Sequence, residues 1–178
     1  VAEGNPLFDG QGKLIGSRFT MGADDEMRGI LGRLVNWCTA LTGREQKSYT
    51  PPSRPDLRLV SVHDAGLATW LHEQGGHLAR SKQLSEAVFS FDTEARLDFL
   101  AGWLDGDGWL ASTGPELKGL SGTTSSACLA MQLMRLSHMA GLRPSMQHIV
   151  NNGYQGNRDG GGDAYQINFS RVDSLQLR

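Results

Sequence analysis

Two helical runs in this chain close on a glycine in the same setting, and that repetition limits the folds open to it. The first carries Met27, Ile30, Leu31, Leu34, Val35, Cys38 and Leu41 at helical spacing and stops at Gly43. The second carries Leu129, Leu133, Leu136 and Met139 and stops at Gly141. Apolar residues three and four apart line one helix face, and glycine accepts the left-handed backbone that closes a helix. The surroundings of the two runs are also alike. Residues 13–21 alternate as a strand around a break at Gly16, after a turn-rich stretch at 5–12. Asp24 and Asp25 offer an N-cap and an acidic first turn for the first run. Pro51, Pro52 and Pro55 stiffen a loop, 57–62 is a short strand, and Asp64 caps a helix bearing Leu67, Trp70 and Leu71 that Gly75 and Gly76 stop. In the second half Thr93 caps a helix from 94 to about 105, and 117–121 is a weak strand. Thr124 or Ser125 caps the run that ends at Gly141, 146–150 and 164–169 are strands around a polar tip, and Val172-Asp173 starts one more helix. Halves that share this order at low identity imply an internal duplication.

Composition sets the outer bounds. The 178 residues are 39% hydrophobic and 20% charged, which suits a folded chain able to bury a core without staples. No apolar run approaches the length of a membrane span. The opening Val-Ala-Glu-Gly-Asn-Pro is no signal peptide and suggests a segment cut from a longer protein. No targeting segment is visible, so an intracellular location in cytoplasm or nucleoid is expected. Cys38 and Cys128 lie far apart in apolar helical patterns, and two buried free thiols are expected rather than a disulfide. A net charge of −2 speaks against a generic nucleic-acid binder, although a near-neutral protein can carry a local basic face.

The chemistry concentrates in residues 99–108, Phe-Leu-Ala-Gly-Trp-Leu-Asp-Gly-Asp-Gly. Ala101 and Gly102 let another helix backbone approach closely. Asp105 and Asp107 then stand at the helix C-terminus, against the negative end of its dipole. That placement costs stability, and a divalent cation would reverse the local electrostatics.

Residues 100–108, Leu-Ala-Gly-Trp-Leu-Asp-Gly-Asp-Gly, resemble the LAGLIDADG motif of homing endonucleases over nine consecutive positions, and Gly122 to Ala130 also looks like that family. The resemblance implies an α+β fold of tandem pseudo-twofold repeats, residues 1–92 and 93–178, with the motif helices at their interface. Curved antiparallel sheets would form a DNA-binding saddle. In the family the last acid of each motif holds divalent metal, which makes Asp107 one metal-binding acid. Val1-Ala2-Glu3-Gly4 resembles the tail of a first motif, most of whose helix would precede residue 1, and Glu3 becomes the partner acid. Ala2 and Gly106 would join Glu3 and Asp107 in the metal site. Lys82, 25 residues before Asp107, resembles the lysine of intein endonucleases, with Ser85 where the family has proline. A lysine there would stabilise developing charge or help activate water; the matching lysine of the second repeat would fall beyond Arg178. The implied activity is Mg²⁺-dependent hydrolysis of a long double-stranded DNA site by a monomer, as the endonuclease part of an intein. Candidates for the DNA-reading face are Lys13, Arg18, Lys47, Arg54, Arg58, Lys118, Gln147, His148, Asn151, Asn152, Asn157, Arg158 and Arg171.

Plainer readings stand beside these. Asp-Gly-Asp-Gly alone would be a polar helix-ending turn, and Glu3 and Lys82 alone would be surface charges. The five histidines show no ligand spacing, and the four tryptophans suit core or hairpin packing. The competing function is a catalytically inactive nucleic-acid-binding module of the same fold, a maturase or a DNA-binding regulator; a purely structural insert in a splicing protein is a third.

Overall fold

The computed structural model describes residues 4–23, 29–75, 79–113, 116–150 and 162–177. The first sheet contains β1 (Gly4–Phe8), β2 (Leu14–Gly22), β3 (Ser48–Tyr49) and β4 (Leu57–Val62), in the order β1-β2-β4-β3. Helix α1 (Ile30–Thr42) follows β2, and α2 (Ala65–Gly75) follows β4. The second sheet contains β5 (Gly108–Thr113), β6 (Glu116–Thr124), β7 (Ser145–Ile149) and β8 (Ala164–Ser170), in the equivalent order β5-β6-β8-β7. Its helices are α3 (Glu86–Phe89), α4 (Thr93–Asp107), α5 (Ala127–Met139) and α6 (Arg171–Gln176). All pairings are antiparallel, and the class is α+β as expected.

The duplication extends to register. Gly4 faces Phe19 across the first hairpin, and Gly108 faces Gly122 across the second. Both ladders slip late in the hairpin, so that Ile15 and Lys118 are bulge residues. The next residue on each strand is a glycine for the same reason. A Cβ on Gly16 would strike the Val62 carbonyl, and one on Gly119 would strike the Phe169 carbonyl. Helices α1 and α5 both end at a left-handed glycine, Gly43 (φ 65°) and Gly141 (φ 83°).

The chain divides by contacts between Glu73 and Gln74. Helix α4 starts at Thr93, the first residue of the second expected repeat. In the first unit Phe19, Val60 and Val62 of the sheet bury against Leu31 and Cys38 of α1. In the second, Leu100, Trp103 and Leu104 of α4 and Leu129, Leu133 and Leu136 of α5 bury against Ile167 and Phe169.

Several local expectations change. Asp92 rather than Thr93 caps α4, its carboxylate accepting from Ala95 N–H at 2.9 Å. Ser126 caps α5 rather than Thr124 or Ser125. Ser170 caps α6, with Asp173 as the reciprocal partner of a capping box. Helix α4 runs to Asp107, past the expected end near 105. A mid-helix glycine costs about 1 kcal/mol, and the burial of Trp103 and Leu104 outweighs it. Strand β5 was not foreseen, because Gly106 and Gly108 read as a turn. Cys38 is buried, and burial pushes its thiol pKa up, whereas Cys128 is exposed. Only Trp103 of the four tryptophans is buried; Trp37, Trp70 and Trp109 are exposed. The cap expected at Asp24 and Asp25 lies outside the described residues.

Candidate active site

Asp107 is the last residue of α4, and the strand β5 begins immediately after it. This abrupt change requires Gly108. Its N–H donates back to the Leu104 carbonyl, and a Cβ there would collide with the same carbonyl. One helical turn before Asp107, Trp103 lies on the same face of α4. Its ring rests on Gly122, where an added Cβ would come within 2.5 Å of the indole. Gly122 is the residue paired with Gly108. Gly122 thus leaves room for the indole beneath the end of the helix, while Gly108 leaves room for the Leu104 carbonyl.

Burial and two side chains of the described residues act on the Asp107 carboxyl. Burial is the largest and pushes its pKa above the ordinary carboxylate value. The Lys82 ammonium and the Trp103 indole N–H pull it back, but only in part. The indole N–H is buried and makes no hydrogen bond of full geometry, so it acts as a weak donor. An added cation would relieve the remaining cost of the buried charge. Lys82 follows a 3₁₀ turn (Ala79–Ser81), and its carbonyl accepts from Ser126 Oγ at 2.6 Å.

Among the described residues no three His, Cys, Asp or Glu side chains are grouped as metal ligands. Asp107 supplies a hard carboxylate suited to Mg²⁺-like cations. Gly106 lies in the last turn of α4, where carbonyls lack intrahelical partners. Glu3 and Ala2, expected to complete the site, lie outside the described residues. Asp105 is exposed.

The residues expected to read DNA fall into distinct groups. Along a strand, neighbours point to opposite faces, so the buried residues identify the helix-covered side. Arg18 stands on the open side of the first sheet and donates from Nε to Ser61 Oγ at 3.3 Å. Arg58 pairs with Met21 on the helix side, and its Nη1 donates to the carbonyls of Pro55 and Leu57. Lys13 is exposed in the hairpin turn that Asp9 closes by accepting from the Lys13 N–H. Lys47 pairs with Glu45 at 3.8 Å, and Arg54 forms a two-pronged pair with Asp56 that lowers the Asp56 pKa. Lys118 is exposed at the bulge of β6, and Arg171 is exposed at the start of α6. Gln147 faces the open side of the second sheet. His148 does not: it lies on the helix side, stacked on Tyr165 at 4.8 Å and bonded to Asp163 at 3.2 Å. Arg58 and His148 therefore stand on the helix side of their sheets, because strand alternation turns both away from the open face. Asn151, Asn152, Asn157 and Arg158 lie outside the described residues.

Sequence reasoning missed a polar row on the open side. Asn168 Oδ1 accepts from Ser121 Oγ at 2.8 Å and from Gln166 Nε2 at 2.6 Å. Asn168 also pairs with Ser145, and Gln166 with Gln147. The signal was present in 164–169, where Gln166 and Asn168 alternate with Tyr165, Ile167 and Phe169.

Neither a family model nor a curated protein matches this sequence. Solved structures do match. The structure of I-DmoI in complex with DNA and Ca is 13% identical, with a TM-score of 0.64 over 99% of this chain and 81% of that one. The homing endonuclease I-WcaI bound to its DNA recognition sequence is 10% identical, with a TM-score of 0.55 over 99% of this chain and 74% of that one. The chain has the homing-endonuclease fold. At these identities the likeness establishes the architecture, and the chemistry must be argued from the residues above.

Proposed function

We propose that this chain is a site-specific, metal-dependent DNA endonuclease that hydrolyses phosphodiester bonds in a long duplex target. The observation that carries the reading is the register of the two hairpins. Gly4 faces Phe19 where Gly108 faces Gly122, so the residue before Gly4 is the sequence counterpart of Asp107. That residue is Glu3, an acid. A duplicated fold with an acid at both equivalent positions suits a two-strand cutter, with 1–92 and 93–178 as its repeats. The solved structures with this fold include protein–DNA complexes with Ca and with Mn.

In this reading Asp107 and Glu3 hold the divalent metal, with the backbones of Gly106 and Ala2 beside them. The metal when bound would polarise the scissile phosphate and stabilise the leaving oxygen. Lys82 adds positive charge near Asp107 and would offset charge building on the phosphate. Arg18, Gln147, Gln166 and Asn168, on the open sheet faces, are suited to base edges, since arginine and amides can make paired contacts with them. Exposed Lys13 and Lys118 are suited to phosphates. Mg²⁺ as the metal and an intein as the setting belong to the proposal; the intein setting rests on the likeness around Glu3 and Lys82.

The test is Mg²⁺-dependent cleavage of a randomised duplex library by the wild type and by Asp107→Asn. Cuts at a long site that vanish in the variant support the endonuclease. A wild type that binds duplex without cutting would identify an inactive nucleic-acid-binding module instead.

A further inference from the structure

Helix α5 does more than fill the core of the second unit: it grips the backbone on which Lys82 stands. Ser126 Oγ donates to the Lys82 carbonyl at 2.6 Å while accepting from Leu129 N–H at 3.1 Å. Further along the helix, Gln132 Oε1 accepts from the Leu84 N–H at 2.7 Å, and its Nε2 donates to the Leu84 carbonyl at 3.0 Å. One amide side chain thus satisfies both polar groups of a single residue. Leu84 itself is buried in the core, and Gln83 N–H donates to the Gly75 carbonyl at 3.3 Å. Residues 82–84 are therefore held at successive points along a short segment.

The duplication singles out the amide. Gln132 stands nine residues before the closing Gly141, and the residue nine before Gly43 in α1 is Leu34. Leu34 packs against the first core as an apolar side chain. A half-buried amide at the equivalent place costs desolvation unless it finds partners, and the partners it finds are the backbone of the Lys82 segment.

We propose that Ser126 and Gln132 are positioning residues, which hold residues 82–84 against α5 so that the Lys82 side chain stays beside Asp107. The proposal rests on the endonuclease reading for the role of Lys82, but the hold itself can be measured without cleavage. Hydrogen exchange at the Leu84 amide is compared in the wild type and in Gln132→Leu, with the Leu133 and Leu136 amides as internal standards. Leucine imitates the α1 counterpart, so the helix should fold. Protection at Leu84 is expected to fall by roughly tenfold or more while the standards hold. Unchanged protection at Leu84 overturns the proposal whether or not the protein cuts DNA. Gln132→Glu keeps the acceptor for the Leu84 N–H and loses the donor, and it should lose part of the protection.

Single-turnover cleavage then separates positioning from plain stability. Gln132→Leu is expected to slow cleavage by roughly ten- to a hundredfold, as small displacements of an aligned group do, with duplex affinity unchanged. In a Lys82→Ala background the same change should cost nothing further. Additive losses in the double variant overturn the positioning role and leave the endonuclease reading intact. A Lys82→Ala variant that cuts as fast as the wild type overturns the role of Lys82 and the positioning role with it, while the cleavage itself leaves the endonuclease reading intact.

Discussion

Phe19 and Gly122 occupy the same register position in the two sheets, yet they are opposites in size. Phe19, 2% exposed, fills its own core. Gly122 leaves a gap, and Trp103 of α4 fills it from outside the sheet. Among the described residues the first sheet buries its own large side chain, while the second has given up its side chain to receive one from the motif helix. The difference teaches that the end of α4, with Asp107 on it, is fixed to the second sheet by shape. Its acid sits in a partly buried place because the indole one turn earlier is locked against glycine.

The comparison can be broken most severely at the acids. If Glu3 and Asp107 are counterparts, Asp107→Asn and Glu3→Gln should each reduce cleavage at least about a thousandfold, since a metal-holding acid contributes on the order of 4 kcal/mol. Duplex binding, measured by fluorescence anisotropy, should survive both changes. A Glu3→Gln variant that cuts normally would end the equivalence. Next come the two fillings. Phe19→Ala should cost about 3–5 kcal/mol in denaturant unfolding, as large-to-small core changes do. Gly122→Ala should cost about 1–3 kcal/mol, because the added methyl would push against the buried indole. It should also slow cleavage through displaced Asp107, whereas Phe19→Ala has no such route on the second sheet.

A smaller effect concerns pH. Burial holds the Asp107 pKa above its ordinary value, so the folded chain binds that proton more tightly than the unfolded chain. Stability from this group is present at acid pH and is lost as pH rises from the ordinary carboxylate range through the raised value. At neutral pH without metal the charged Asp107 is therefore a cost. Asp107→Asn should raise Tm modestly at neutral pH, with the gain fading in acid; a Tm lowered at neutral pH would contradict the assignment. Smallest is the contrast between thiols. A thiol reagent should label exposed Cys128 in the native protein with little change in Tm, and should reach buried Cys38 only on unfolding.

Much of this was legible before any coordinates. The glycines that close α1 and α5 announced the duplication, because the left-handed backbone that closes a helix favours glycine. The nine-residue motif announced the α+β architecture of the chain. Local rules failed where two signals competed. Asp92 and Thr93 are both good caps, as are Ser125 and Ser126, and which one accepts the hydrogen bond depends on where packing starts the helix. Gly106 and Gly108 read as a stop, but a glycine penalty of about 1 kcal/mol yields to the burial of Trp103 and Leu104.

The sequence by itself determined what local chemistry can encode: strand and helix periods, the closing glycines, and an acid before each equivalent glycine at positions 4 and 108. Tertiary structure alone decided which residues those elements bring together. It bound the Lys82 carbonyl to Ser126, set Trp103 on Gly122, and gave Gln132 the backbone of Leu84 to hold. It also turned Arg58 and His148 to the helix side, which the residue types did not foretell. The physical reason is that a side chain's partners depend on strand register and on the docking of helices onto the sheet. Both are set by the whole buried core, through contacts between residues far apart in the chain.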